Sequence, residues 1–152
     1  TAYLITNLLE GVVKNGTGRR VRALKRPVAG KTGPSNNLFD AWFVGYTPRY
    51  ITGVWVGFDE EKSLGEGEQG ARTTSPIWLG FMQEILKDQP IKVFQVPEGV
   101  VFAKIDAETG LLPIPESTDT LFECFKEGTV PTEYTSKPDT VTEAEDFFKL
   151  DM

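Results

Sequence analysis

Between Ala2 and Val13 the apolar residues Leu4, Ile5, Leu8, Leu9, Val12 and Val13 recur at three- and four-residue steps, which predicts an amphipathic helix. Asn15, Gly16, Thr17 and Gly18 follow; such residues tolerate left-handed backbone and predict the helix end. A basic cluster, Arg19, Arg20, Arg22, Lys25 and Arg26, lies ahead of a strand rather than along a helix. Pro27, Val28 and Ala29 then lead into Gly30, Lys31, Thr32 and Gly33, a short extended run. Two runs rich in aromatic and β-branched residues, Ala41 to Tyr46 and Tyr50 to Phe58, are joined by Thr47, Pro48 and Arg49 and predict a β-hairpin. Both runs carry apolar residues on alternate and intervening positions. The pattern predicts a sheet covered on both faces, with helices on either side. Gly45, Gly53 and Gly57 inside the strands suggest bulges or a second backbone packed close.

Glu60 to Thr74 is rich in glycine and charge and reads as a surface loop, too irregular to cradle phosphate. Ser75 and Pro76 suit an N-cap and a first helical position, with Trp78, Phe81, Met82 and Ile85 as the buried stripe and a stop before Pro90. Beyond Pro90, Val93 to Val96 and Val100 to Ile105 read as strands and Asp106 to Gly110 as a turn before Leu111 and Leu112. From Thr129 onward Thr, Glu, Asp, Lys and Pro dominate, which predicts a poorly ordered tail with a frayed helix near Phe147. The resulting plan is a main unit over 1–90, a β extension over 91–132 and an acidic tail over 133–152.

The chain has 152 residues, a formal net charge of −6, one cysteine and no histidine. Each of the last three narrows the chemistry. The acidic balance and the lack of a basic stripe argue against nucleic acid. The one basic cluster reads first as a solvated rim and second as an attraction for an anionic ligand. Without histidine the commonest zinc ligand is missing, and Ser-His-Asp and Cys-His schemes lack their base, so no metal or cofactor is expected and any acyl transfer must use lysine. Cys124 between Phe122 and Phe125 reads as an apolar contact. No apolar stretch approaches the roughly 18 residues of a membrane span. The chain opens at Thr1 with no signal-like core, and is read as an excerpt from something longer.

One stretch carries the functional signal: Lys31, Thr32 and Gly33, then Asp40, Ala41, Trp42, Phe43, Val44, Gly45, Tyr46, Thr47 and Pro48, then Val54, Trp55, Val56 and Gly57, then Ser75, Pro76, Ile77 and Trp78. Lys-Thr-Gly alone is a weak motif. In this setting the chain resembles the class A (bifunctional) penicillin-binding proteins, a likeness that runs from the opening helix through Lys104, Ile105, Asp106, Thr109, Gly110 and Leu111 to Thr132. The resemblance implies an α+β fold: a fragment of the penicillin-binding-protein and serine β-lactamase transpeptidase fold. The Lys-Thr-Gly strand and the hairpin form an antiparallel sheet flanked by helices, with a small appended β element.

The family's active site joins Ser-x-x-Lys, Ser-x-Asn and Lys-Thr-Gly, of which this chain carries the third. The resemblance implies a parent that cross-links peptidoglycan through a serine acyl-enzyme on D-Ala-D-Ala stem peptides and is trapped by penicillin. That parent is expected to carry an N-terminal glycosyltransferase and to be anchored in the cytoplasmic membrane of a bacterial envelope, with this part outside. Lys31 would supply charge and help proton movement, Thr32 would bond the substrate carboxylate, and Gly33 would let the ligand backbone approach. Where the family has Thr or Ser, this chain has Pro34, which has no N–H for the oxyanion hole; losing one such donor costs about 10²- to 10³-fold in rate. Either the register shifts so that Ser35 supplies the donor, or the site is impaired. Ser35 and Asn36 are further candidates for substrate binding.

Ser35, Ser63 and Ser75 each lack a lysine three residues on, so the chain alone is expected to be inactive. The partners expected are stem peptide and β-lactams for the parent, and the rest of the transpeptidase domain or a second copy for the fragment. A non-catalytic interaction module built on the same fold is the competing reading. A serine β-lactamase is disfavoured by the extension after the second helix.

Overall fold

The computed structural model describes residues 1–34, 39–60, 62–65 and 70–136, with the backbone alone at Pro34, Gly70 and Ala71. They form two compact units, 1–97 and 98 onward.

In the first unit, helix α1 spans Ala2–Lys14. Its end is not left-handed, since Asn15 has φ −128°. Instead the N–H groups of Gly16 and Gly18 both donate to Val12 O at 3.1 Å. A Cβ on Gly16 would lie 3.0 Å from that oxygen, so close approach, not handedness, favours glycine there. The left-handed residue comes later, at Lys25 with φ 56°. It closes a 3-10 helix over Arg19–Leu24, so most of the basic cluster lies on a helix after all. Arg26 then donates to the carbonyls of Leu86 and Gln89, both at 2.7 Å, and ties this segment to the far end of the second helix.

Strands β1 (Ala29–Pro34), β2 (Asp40–Tyr46) and β3 (Ile51–Gly57) make an antiparallel sheet in the order β1-β2-β3. The hairpin register is unbroken from Asp40↔Gly57 to Tyr46↔Ile51, with no bulge at any glycine. The glycines serve side chains instead. A Cβ on Gly45 would fall 2.7 Å from Phe43 and 2.9 Å from Trp78, and one on Gly57 would fall 2.4 Å from the Trp55 ring. Gly53 meets ordinary contact at 3.7 Å. Gly30, paired with Gly45, is equally tight against Phe43 at 2.9 Å, so two facing glycines leave room for the ring.

Helix α2 covers one face of the sheet and spans Gly70–Leu86, six residues longer at its start than Ser75 as N-cap and Pro76 as first helical residue imply. A proline inside a helix leaves the carbonyl four residues back without its donor. Here that carbonyl, on Arg72, accepts from the Arg20 guanidinium at 3.2 Å. The core joins Val13, Val21, Leu24, Val28, Phe43, Trp78, Met82 and Leu86. At its centre Phe43 and Trp78 meet edge to face at 5.3 Å, and the indole N–H donates to Thr52 O at 3.0 Å, so the buried ring leaves no polar atom unpaired.

Among the described residues the opposite face is covered only in part: α1 packs against β1, and the rest lies open. Trp42, Val44 and Trp55 remain 45%, 40% and 47% exposed. At one end Tyr46 bonds Thr6 of α1 at 2.9 Å and packs against Phe94. Residues 91–97 run without strand pairing, contrary to the pattern at Val93 to Val96.

The second unit is a hairpin of β4 (Val100–Asp106) and β5 (Thr120–Lys126), paired from Val100↔Lys126 to Asp106↔Thr120. Asp106 makes the expected turn, its Oδ1 accepting from the N–H groups of Glu108 and Thr109 and from the Thr109 hydroxyl. Residues 133–136, expected to begin the tail, are tied down in part: Leu112 bonds Glu133 O and accepts from Thr135 N, at 2.9 and 2.8 Å. The helix expected near Phe147 lies outside the described residues.

Candidate active site

β1 is an end strand of the sheet, so one of its backbone edges is not paired to another strand among the described residues. Side chains alternate along it. Lys31 stands opposite Val44 and shares the open face with Trp42 and Trp55, whereas Thr32 stands opposite Phe43 on the helix-covered face. The side chains of Lys31 and Thr32 therefore leave the strand on opposite sides.

Lys31 is exposed, and its ammonium donates to the Thr32 carbonyl at 2.7 Å, folding the cation back along its own strand. Thr32 is 7% exposed, and its hydroxyl meets the Thr17 hydroxyl at 3.0 Å. Thr17 itself is exposed. Gly33 differs from Gly30 and Gly45: a Cβ there would sit in ordinary contact, 3.5 Å from Trp42 Cβ, and its φ is not positive. Nothing described in the fold demands glycine at that position.

Pairing runs on without a break to Pro34↔Ala41, so Pro34 sits in the strand register with no N–H to offer. Ser35 and Asn36 lie outside the described residues. Those described contain no group of three or more His, Cys, Asp and Glu side chains able to hold a metal, and no helix long and apolar enough to cross a membrane.

Sequence reasoning missed Thr17 and Arg72. Thr17 falls in the predicted helix stop; its setting between Gly16 and Gly18, which leaves a hydroxyl unshielded, is the available signal. Arg72 falls where the pattern predicts a loop, and no local signal links it to Arg19 and Arg20. In the structure, Gly16, Thr17, Arg19, Arg20 and Arg72 line one open pocket of about 520 Å³. Thr17 joins that pocket to the Lys-Thr-Gly strand.

A glycine-relieved antiparallel sheet, a helix over one face and Lys-Thr-Gly on the end strand define a segment of the penicillin-binding class of proteins. Residues 96–143 match the family described as Penicillin-binding protein 1A, C-terminal domain. The chain is 46% identical to Penicillin-binding protein 1A of Pseudomonas aeruginosa over 132 residues, 86% of this chain and 16% of that protein. It is 40% identical over 138 residues to the protein of the same name from Vibrio cholerae, covering 81% of this chain and 17% of the relative. The crystal structure of Penicillin-binding protein 1A from Haemophilus influenzae superimposes with a TM-score of 0.80 at 34% identity, covering 89% of this chain and 21% of that one. The chain belongs to the penicillin-binding protein 1A family, and it spans about a sixth of the length of these relatives.

Proposed function

We propose that this chain is one part of a peptidoglycan D,D-transpeptidase, supplying the Lys-Thr-Gly wall of a serine acyl-transfer site whose nucleophile lies elsewhere in the protein. The observation that carries this reading is the arrangement on β1. An exposed lysine lies on an end strand, and beside it is a glycine whose missing side chain no packing requires. A ligand strand needs an accessible edge, a cation for a carboxylate and no Cβ in its path; these are the features Lys31 and Gly33 offer.

In this reading the substrate's D-Ala-D-Ala end lies along β1, with the Lys31 ammonium near its carboxylate and near the second motif's serine. Thr32 contributes its hydroxyl from the other side of the strand. Ser35 and Asn36 would continue the contact. The complete protein would carry a glycosyltransferase and a membrane anchor, work at the outer side of the cytoplasmic membrane and bind β-lactams as substrate mimics. This chain alone would be inert, because none of its serines has lysine at the required spacing.

Pro34 is the observation behind a second reading, a non-catalytic module with the same fold. Pro34 lies in the strand register without an N–H, which in that reading would deny an oxyanion hole one donor.

Labelling with a fluorescent penicillin separates these. The complete protein should retain label on a denaturing gel and the 152-residue chain should not. A labelled chain would overturn its inertness, and an unlabelled complete protein would favour the non-catalytic module.

A further inference from the structure

The basic cluster divides by function once its contacts are known. Arg26 is spent on the carbonyls of Leu86 and Gln89, and Arg22 on Lys14 O at 3.3 Å. Arg19 and Arg20 turn elsewhere and meet Arg72, more than fifty residues away in sequence, around the pocket beside Thr17. All three arginines are exposed. Among the described residues no carboxylate pairs with any of them; the ion pair there is Lys14 with Glu10, at 3.9 Å.

Three guanidinium groups around one opening repel each other, and the chain as a whole carries a net charge of −6. A positive pocket on an acidic molecule is a local field that a bound anion relieves. The groups are also partly fixed in place. Arg20 is held by its bond to Arg72 O, which sets its fork and the backbone bearing Arg72, while its remaining N–H groups stay available. A volume of about 520 Å³ exceeds what one inorganic ion needs and is within the range of sites for small organic groups.

Position decides which anion. The pocket wall at Thr17 is one 3.0 Å hydrogen bond from Thr32, so a ligand running along β1 passes beside it. We propose that Arg19, Arg72 and Arg20, with the Thr17 hydroxyl, form a second carboxylate subsite, which grips an acidic side chain of the same peptide whose terminal carboxylate lies at Lys31 and Thr32. The inference rests on the reading of β1 as the substrate strand. Its chemistry is bidentate guanidinium to carboxylate, and its role is to select acidic stem peptides over amidated ones.

Two synthetic peptides ending in D-Ala-D-Ala test it, alike except that one carries glutamate and the other glutamine upstream of the terminal pair. Each is titrated into the 152-residue chain while the backbone amides of Gly16 and Thr17 are followed by NMR. The glutamate peptide should bind about fivefold tighter and shift both amides. Arg19→Gln with Arg72→Gln should erase the difference and leave the glutamine peptide unchanged; Arg20 is kept because it supports α2. Equal affinities with still amides would overturn the subsite while leaving the Lys31 reading intact. The absence of any carboxylate-dependent shift would overturn it too, since every residue of the subsite belongs to this chain. Sodium sulfate moving the same amides, with no discrimination between the peptides, would mark a site for free inorganic anions and also overturn it. The Lys31 reading fails separately, by the penicillin label on the complete protein.

Discussion

Arg20 donates a 3.2 Å hydrogen bond to the main-chain carbonyl of Arg72, the carbonyl that Pro76 leaves without its helical donor. A residue from the 3-10 helix thus repairs a defect in α2, and the helix continues N-terminally of its proline. Arg20→Gln should destabilise the chain by about 1 kcal/mol in denaturant titrations. In a Pro76→Ala background, where the helix supplies its own donor, the same change should cost clearly less. Strictly additive effects would mean the two residues are not coupled.

The glycines of the sheet should separate by role. Gly45→Ala drives a methyl into Phe43 and Trp78 and should cost about 1–3 kcal/mol, read as a lowered melting temperature. Gly33→Ala should leave stability nearly unchanged, because its Cβ finds ordinary contact. In the complete protein the same Gly33→Ala should slow acylation by penicillin. A stable variant with full acylation would remove ligand approach as the reason for that glycine.

Lys31→Ala should slow acylation of the complete protein by about a hundredfold without lowering the melting temperature, since the ammonium is exposed and bonds only its own strand among the described contacts. Stopped-flow acylation kinetics would measure it. A rate within twofold of the parent would exclude Lys31 from the site.

Asp106 gives the second unit a pH response. The Thr109 backbone N–H holds its carboxyl below the ordinary value near 3.8; desolvation opposes it, and the hydroxyls of Thr109 and Ser117 and the Glu108 N–H add to the lowering. A depressed carboxylate stabilises the fold above its unfolded value, and that contribution disappears as pH falls through the lower, folded one. The 98–136 unit should therefore weaken below about pH 4, and Asp106→Ala should flatten the response. Hydrogen exchange of β4 amides between pH 2.5 and 6 would follow it.

The open sheet face and the outer edge of β3 should cause association. Trp42 and Trp55 are about half exposed and Ile51 is 71% exposed. Light scattering of the chain should find species larger than the monomer, and Trp42→Ser with Trp55→Ser should shift them toward monomer. A parent chain that is already monomeric at high concentration would contradict this.

The hairpin and α1 were legible because their patterns are local: aromatic and β-branched runs for β2 and β3, and three- and four-residue steps for the helix. The family signal sat in the same runs. What was not legible depends on partners far off in sequence. Pro76 looks like a helix start until Arg20 is known to satisfy Arg72 O. β5 lacks clean alternation, and it became a strand by pairing with β4 over seven residues. Val93 and Val96 are strand-like residues but pair with no strand among the described residues, and both stay exposed. The inward turn of Thr32 follows from register against Phe43, which a tripeptide cannot reveal. That Arg19 and Arg72 line one pocket is similarly a matter of tertiary placement.

Between Thr17 and Thr32 either oxygen can be the donor. Reversing that bond needs only two protons to rotate, with the heavy atoms staying where they are. An acceptor arriving at Thr32 would draw its proton outward and oblige Thr17 to point its own inward. The Gly16 to Gly18 loop would then register an occupied strand as a change of polarity before any backbone had moved.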